Sequence, residues 1–574
     1  MAIRTARAVV EEVPAAAGTS LGSLAACHED HSERDTQRLS QKYGLKLPLP
    51  LSELSVCDEQ IPFIKMTDWA NFILQRNLWY RLCGLDGPDD QRCSDIWRSF
   101  WRKYRKINPD HEIFQREGHD FGRTCGLMLH GDEGRSLRKS PLMVISTHSI
   151  LGFGLSTTPK KRKSAYLAQK LNYEQPTWTT RFLMSVLPKR YYSEDDDGDF
   201  DSDPFQDLML GVTRDLRTLY DHGISTRDGR FFFCVLNVMG DWPFIQKCGA
   251  LGRSFMNISK AASSKAPAKG ICHLCQADIA GVEWEKFDER PPKWLPTVNT
   301  LSPFLKVPAV LELPKNPLFP ESFFAFDLFH SWHIGCGKTF LSSCLAVLSQ
   351  STAYEGSVDL RLENLTRDFL DWSRASGMKC QLRKINKAKL GWNSMTTYPA
   401  GTWSKGSTTT CLVKFFIAIC GKYLEHVRAN LLLQLAHCAA ERIDFFISSL
   451  YKWELWIPAD NAKVIAAAGV SFLKLHGKAV QLAHDRSQLY FLLMPNYHRM
   501  DHIIWDLESQ AEKARFVMNP LYASCQSDED YIGRPSRISR RVSPRLTIQR
   551  TLERSLQAGY AQYVKIGAII ADEA

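Results

Sequence analysis

Two aspartates stand where hard-ligand chemistry could be built. Asp132 closes the apolar part of CGLMLHGDEGR (125–135), and Asp241 closes that of FFFCVLNVMGDWP (231–243). Both runs read as buried strands that stop at a glycine followed by an acid. Taken singly, each acid is more often a strand-end turn or cap than a metal ligand. Carboxylates at the ends of neighbouring strands can instead share a divalent cation, because rigid strand ends hold hard oxygen ligands close together. Two such ions, roughly 3.5–4 Å apart, stabilise both the attacking and the leaving oxygen of a phosphodiester exchange.

Soft ligands come next. Cys272 and Cys275 form a single C-x-x-C within ICHLC, which supplies two of the four ligands a structural zinc site needs. Cys248, His273, His330, His333 and Cys336 could complete it, and spacing does not choose among them. The alternative is a pair of buried, reduced thiols. Two other motifs fail. GCGKT (335–339) lacks the phosphate-loop glycine, since Trp332 stands five positions before Gly337. SEDDDGDFDSDPF (193–205) has Pro204 where a calcium loop needs its bidentate Glu, and reads as a solvated loop.

Clustered cations suggest a polyanionic partner. TPKKRKS (158–164), with Lys160 to Lys163 in a row of four cations, is the kind of segment nuclear import receptors read, and equally a solvated loop. RPSRISRRVSPRLTIQRTLER (534–554) carries seven arginines, among them Arg534, Arg537, Arg540, Arg541 and Arg545, against the single acid Glu553. Such density suits contacts to a nucleic-acid backbone, although a charge run is also a solvated face.

The elements that must position these groups follow from periodicity. SDIWRSFWRKYRKI predicts an amphipathic helix capped at Ser94, with Trp97, Phe100, Trp101 and Tyr104 on one face and basic residues on the others. That stripe is either core packing or the back of a phosphate-contacting helix. Strands are expected at 125–133, 140–152, 180–188 and 231–239, with a helix over 207–223 stopped by Gly223. Beyond residue 320, segments 336–350, 409–453 and 460–485 are helical in pattern, and no internal repeat is visible. The expected organisation is a largely disordered segment (1–55), a basic helical region (56–124), the first part of the sheet with the C-x-x-C (125–320), a helical insertion (321–520), and a final core element with an arginine-rich helix or tail (521–574).

The bulk numbers fit a folded protein. In 574 residues, 44% are hydrophobic and 23% charged, with 72 Lys+Arg against 62 Asp+Glu for a net charge of +10. The 16 cysteines are unevenly spaced, and residues 1–27 carry Glu11-Glu12 and no sustained apolar core, so reduced thiols and an intracellular protein are expected. No apolar run approaches the roughly 18–20 residues that span a bilayer, so no membrane partner is expected.

Taken in order, these features resemble a known family. GDWPFIQKCGALGRSF followed by ICHLC is similar to the "GD-x-P … G … C-x-x-C" block of cut-and-paste DNA transposases of the CACTA and plavaka kind. DLMLGVTRDLRTLYDHG sits where they carry a conserved-pattern helix. FDLFHSWHIG (326–335) resembles their "D-x-M-H-x-x-x-LG" element, with His330 as its histidine, and SDEDYIGR (527–534) their late "FER-x-x-G" element. The resemblance spans roughly residues 125–555 and rests on the shared order of short motifs. It implies an α/β fold: a ribonuclease-H-like mixed sheet flanked by helices and interrupted by a large, mainly helical insertion. It further implies a DDE triad of Asp132, Asp241 and Glu529 holding Mg²⁺ or Mn²⁺, with Asp327, Asp501 and Glu508 as rivals for the third position. The expected activity is metal-dependent strand cleavage and transfer on DNA, both transposon ends and target, in the nucleus or otherwise the cytoplasm. Other copies of the chain are candidate partners. "DEGR" in place of the usual "DG", and "DED" in place of "FER", depart from the pattern. They leave open a transposase-derived nuclear DNA-binding or protein-interaction protein without catalytic activity.

Overall fold

The computed structural model describes residues 2–28, 32–56, 59–155, 166–192, 203–258 and 269–569. The basic cluster Lys160–Lys163 and residues 193–202 of the acidic spacer lie outside them. The architecture is mixed α/β. A hairpin of β1 (Ser52–Val56) and β2 (Glu59–Phe63) precedes a five-stranded sheet built from β3 (Thr124–Arg135), β4 (Pro141–Ser149), β5 (Phe182–Pro188), β6 (Ile224–Thr226) and β7 (Gly229–Gly240). The spatial order is β5-β4-β3-β7-β6. β3 pairs antiparallel with β4 and parallel with β7, so Gly131 lies opposite Gly240. This register brings the two strand-end aspartates side by side. The central strands are near-continuous apolar runs rather than alternating ones because both of their faces are covered.

Four helices hold the sheet. Helix α1 (Asp90–Ile107) starts a turn earlier than the sequence suggests, because Asp89, not Ser94, caps it by accepting from Arg92 N–H at 2.9 Å. Trp97, Phe100, Trp101 and Tyr104 are all buried, so the stripe is core packing. Trp101 Nε1–H donates to the Thr124 carbonyl at 2.9 Å and ties α1 to the start of β3. Helix α2 (Pro204–Asp221) is capped by Asp203, the last acid of the spacer, and packs on β7. Behind the sheet, the arginine-rich C-terminal stretch forms two packed helices, with the one over Gln526–Ser539 against β3 and the one over Thr547–Lys565 against β5.

Between Asp241 and that first C-terminal helix lies the expected helical block, over Gly337–Ser349, Val358–Ser376, Gly406–Lys422, Leu431–Leu450, α3 (Ala459–Asp485) and α4 (Pro495–Lys513). Val358–Ser376 and α4 were not foreseen. Two short strands, β8 (Trp456–Pro458) and β9 (Phe516–Met518), pair within it. One continuous buried cluster runs from the sheet into this block, so the two share a core. The N-terminal segment departs from the expected disorder. Ala2–Glu12, Ser20–Ala25 and Ser32–Lys42 are helical and share a small core of Ile3, Cys27 and Leu39. Arg7 donates to the carbonyls of Ala25 and Cys27 and closes that unit. Among the described residues, no helix is long and apolar enough to cross a membrane.

Candidate metal centres

Three carboxylates from distant parts of the chain meet at the end of the central strands. Asp132 lies in the last third of β3, paired with Val144, Asp241 follows β7, and Glu529 sits in the first turn of α5 (Gln526–Ser539). Asp132 lies close enough to both Glu529 and Asp241 for the three carboxylates to shift one another's ionisation. Asp132, Glu529 and His330 offer ligand atoms that all lie within 4.8 Å of one another. Glycine is required beside the first two acids. A Cβ on Gly131 would stand 2.1 Å from the Phe244 ring, and one on Gly240 2.4 Å from the Gly131 carbonyl oxygen. The two strands can therefore close up under Phe244 only because neither residue has a side chain.

Asp241 does two jobs. Its carboxylate accepts from Phe244 N–H at 2.8 Å, capping the short helix Trp242–Cys248, with Pro243 in the first turn where its missing N–H costs nothing. The run FFFCVLNVMG thus ends on an acid that turns the chain into a helix and leaves an oxygen for the cluster. Burial, then Glu529 and Asp241 nearby, push Asp132 well above the ordinary carboxylate range. Burial also raises Asp241. For Glu529 burial is outweighed by the neighbouring His330 imidazole and Asp132 carboxyl, and the group is held at about 2. Like charges crowded in this way are stabilised by a cation or a shared proton.

Glu529 is held from both sides. On the sheet side, its neighbour Asp528 is 1% exposed and pairs with Arg181 at 3.0 Å and His148 at 3.2 Å. On the insertion side, Asp327 accepts from Cys525 N–H at 3.0 Å, just before α5 begins. Asp327 also pairs with His330 Nδ1, and His330 Nε2 lies 3.2 Å from Glu529 Oε1. Burial works against the imidazolium of His330, but Asp327 and Glu529 outweigh it and raise the group well above its ordinary value. The segment that supplies this pair lies along the sheet. Ala325 N–H donates to the Val238 carbonyl at 2.9 Å, beside a parallel bridge between Val238 and Phe324.

The second centre is made of cysteine sulfur and imidazole. Cys272, Cys275, His498 and His502 are buried, with ligand atoms all within 4.8 Å of one another. Cys275 Sγ lies 3.2 Å from His498 Nε2 and 3.4 Å from His502 Nε2, and Cys272 Sγ lies 3.5 Å from His502 Nε2. Zn–S and Zn–N bonds of about 2.3 and 2.0 Å at a tetrahedral angle give edges of about 3.5 Å, so the donor set fits zinc. His498 and His502 are one turn apart on α4, and the Trp294 ring covers both, at 5.1 and 4.0 Å.

Of the sequence-derived residues, the structure brings Asp132, Asp241 and Glu529 together. Asp327 stands behind Glu529 as the partner of His330. Asp501 is taken up by Arg290 at 2.6 Å, and both Asp501 and Glu508 lie on α4 with the cysteine–histidine centre. The zinc ligands proposed to join Cys272 and Cys275 need correction. Cys248, His273, His330, His333 and Cys336 are not members of the group, and His498 and His502 are. The signal present in the sequence was the H-x₃-H of HRMDH (498–502), which spaces two histidines by one helical turn. Of the arginines, Arg534 pairs with Asp530 at 2.8 Å and Arg540 donates to the Arg135 carbonyl at 2.8 Å. Arg537, Arg540, Arg541 and Arg545 are exposed. No protein-family model matches the chain, and comparison with curated proteins finds no match.

Proposed function

We propose that this chain is a DDE-type polynucleotidyl transferase, a DNA transposase or a protein derived from one, built on a ribonuclease-H-like core. The observation that carries the reading is the meeting of Asp132 and Glu529, whose ligand atoms lie with that of His330 within 4.8 Å of one another, with Asp241 near enough to interact with both, at the end of the central strands, although the three acids are 109 and 288 residues apart in sequence. A structural role alone calls for each acid to have its own basic partner, as Asp528 has Arg181. Here three acids share one basic neighbour, His330, which pairs with Glu529.

The oxygen-rich cluster fits hard divalent cations such as Mg²⁺ or Mn²⁺. Bound there, they would supply Lewis acidity for in-line displacement at a phosphodiester. The protein's own part is positional. Gly131 and Gly240 let the two strands close under Phe244, and the cap on the following helix fixes which Asp241 oxygen is free. Asp327 and His330 hold Glu529 toward Asp132. The exposed arginines at 537, 540, 541 and 545 would contact backbone phosphates and make binding steeply salt-dependent. Zinc at Cys272, Cys275, His498 and His502 would serve a structural role, since all four positions are filled by protein.

The test is a strand-nicking assay on duplex DNA with Mn²⁺ or Mg²⁺. The wild-type chain should cleave, and Asp241→Ala should reduce cleavage by at least 10²-fold while leaving salt-sensitive DNA binding in place. Undiminished cleavage by that variant would remove the assignment. Salt-sensitive binding with no cleavage by the wild-type chain would favour the non-catalytic DNA-binding reading, for which the engagement of one Glu529 oxygen by His330 is the supporting contact.

A further inference from the structure

One route from the cysteine–histidine centre to the acid cluster is the side chain of Trp242. Two residues adjacent to the sulfur and imidazole ligands grip it. His273, between Cys272 and Cys275 in sequence, places its ring 5.2 Å from the Trp242 ring, and its Nε2 lies 2.9 Å from the Phe324 carbonyl. Arg499, the residue after His498, lays its guanidinium 4.1 Å from the Trp242 ring centre and 5.0 Å from that of Phe255. Phe326 adds a nearly parallel ring at 6.4 Å, and Trp242 Nε1–H donates to Ser254 Oγ at 2.8 Å. Trp242 is therefore caged on its faces and pinned at its edge. It is also the residue after Asp241 and the first of the helix that Asp241 caps.

Arg499 is 7% exposed, and among the described residues no carboxylate forms an ion pair with it. A guanidinium with no salt bridge is held by ring faces and by the longer-range field of Cys272, Asp327 and Asp241, so its place is set largely by its neighbours in the chain. Those neighbours are the metal ligands. A zinc ion would fix the 272–275 loop to α4 and with it the separation of His273 from Arg499, which is the width of the slot holding Trp242. Without the ion, the thiols and imidazoles keep only hydrogen bonds to one another, and the loop and helix are joined by the Trp294 ring over both histidines and the Arg290–Asp501 pair, neither of which fixes His273 against Arg499.

Resting on the reading of the acid cluster as a divalent-cation site, we infer that metal in the cysteine–histidine centre sets the position of Asp241, with His273 and Arg499 acting as positioning residues on Trp242. The centre would then license the acid cluster as well as stabilise the fold.

The experiment uses the full-length, zinc-loaded chain and the variants Arg499→Met and His273→Leu. Three quantities are read: zinc content, Mn²⁺ affinity by electron paramagnetic resonance, and amide exchange over residues 242–248. With zinc retained, each variant should weaken Mn²⁺ binding roughly 10-fold or more, as loss of outer-shell support does at metal sites, and should speed exchange in 242–248. Arg499→Lys, which keeps a cation over the ring, should recover part of both effects. Unchanged Mn²⁺ affinity and unchanged exchange in zinc-loaded Arg499→Met and His273→Leu would overturn the inference. Should the wild-type chain take up no Mn²⁺, the cation-site reading fails on its own, and amide exchange alone then decides the coupling. A variant that lost zinc would be compared with chelated wild-type protein, where unchanged exchange in 242–248 again overturns the inference.

Discussion

Asp528 and Glu529 are neighbours in sequence with opposite fates. Asp528 points into the core, where Arg181 and His148 complete it; burial opposes its charge, but Arg181 and then His148 hold it well below the usual carboxylate range. Replacing it by Ala would leave Arg181 buried and unpaired, which costs about 3–5 kcal/mol; urea unfolding of Asp528→Ala should read a loss of that size. Asp528 contributes stability above its unfolded pKa, and this is lost as pH falls toward its lower folded value. Among the described residues, Glu529 pairs with no arginine or lysine and faces Asp132 and His330 instead. The same distinction separates Asp501, neutralised by Arg290, from the cluster it was a candidate for.

At the scale of the element, α3 (Ala459–Asp485) shows how an apolar helix carries a polar side chain at a cost. His476 is 0% exposed, stacks on Tyr497 with ring centres 4.0 Å apart, and has no hydrogen-bond partner on either ring nitrogen among the described residues. Burial pushes it down to about 3. Its unfolded form protonates near pH 6.5, so the unfolded chain binds more protons between these values and stability falls as the solution is acidified. Thermal melts from pH 7 to pH 4 should show a slope of up to about 1.4 kcal/mol per pH unit from this residue. His476→Phe should remove that share of the slope while preserving the ring stack. In α4 the same helical geometry is put to a different use, since His498 and His502 one turn apart aim at the two cysteines.

At the scale of the whole molecule, the cysteine–histidine centre joins a loop at 272–275 to a helix more than 220 residues later. A metal ion held by these four ligands would cross-link so long a loop, removing entropy from the unfolded chain, and its binding to the folded state would add stability by linkage. Stripping zinc with a strong chelator should therefore lower Tm by several degrees, and zinc but not Mg²⁺ should restore it. An unchanged Tm after verified metal removal would show that packing alone holds the sheet to the helical block.

Much of the site was legible in the sequence because strands announce themselves locally. The apolar runs ending in Gly131-Asp132 and Gly240-Asp241 give strand identity and strand ends, and Pro243 gives the helix that follows. The C-x-x-C likewise shows half of a metal centre. The N-terminal helices were missed because polar, alanine-rich periodicity is weak and their core is only a few side chains. The helix of SDIWRSFWRKYRKI was expected to start late because Asp89 and Ser94 are both good caps, and only the accepted hydrogen bond tells them apart. What local pattern does not contain is which distant groups meet. Parallel pairing of β3 with β7 decides that Asp132 and Asp241 are neighbours, and the packing of α5 on β3 decides that Glu529 joins them. The choice of His498 and His502 over five nearer candidates, and the caging of Trp242 between the two centres, belong to tertiary structure alone, because a side chain's partner is set by the path of the whole chain rather than by the residues beside it.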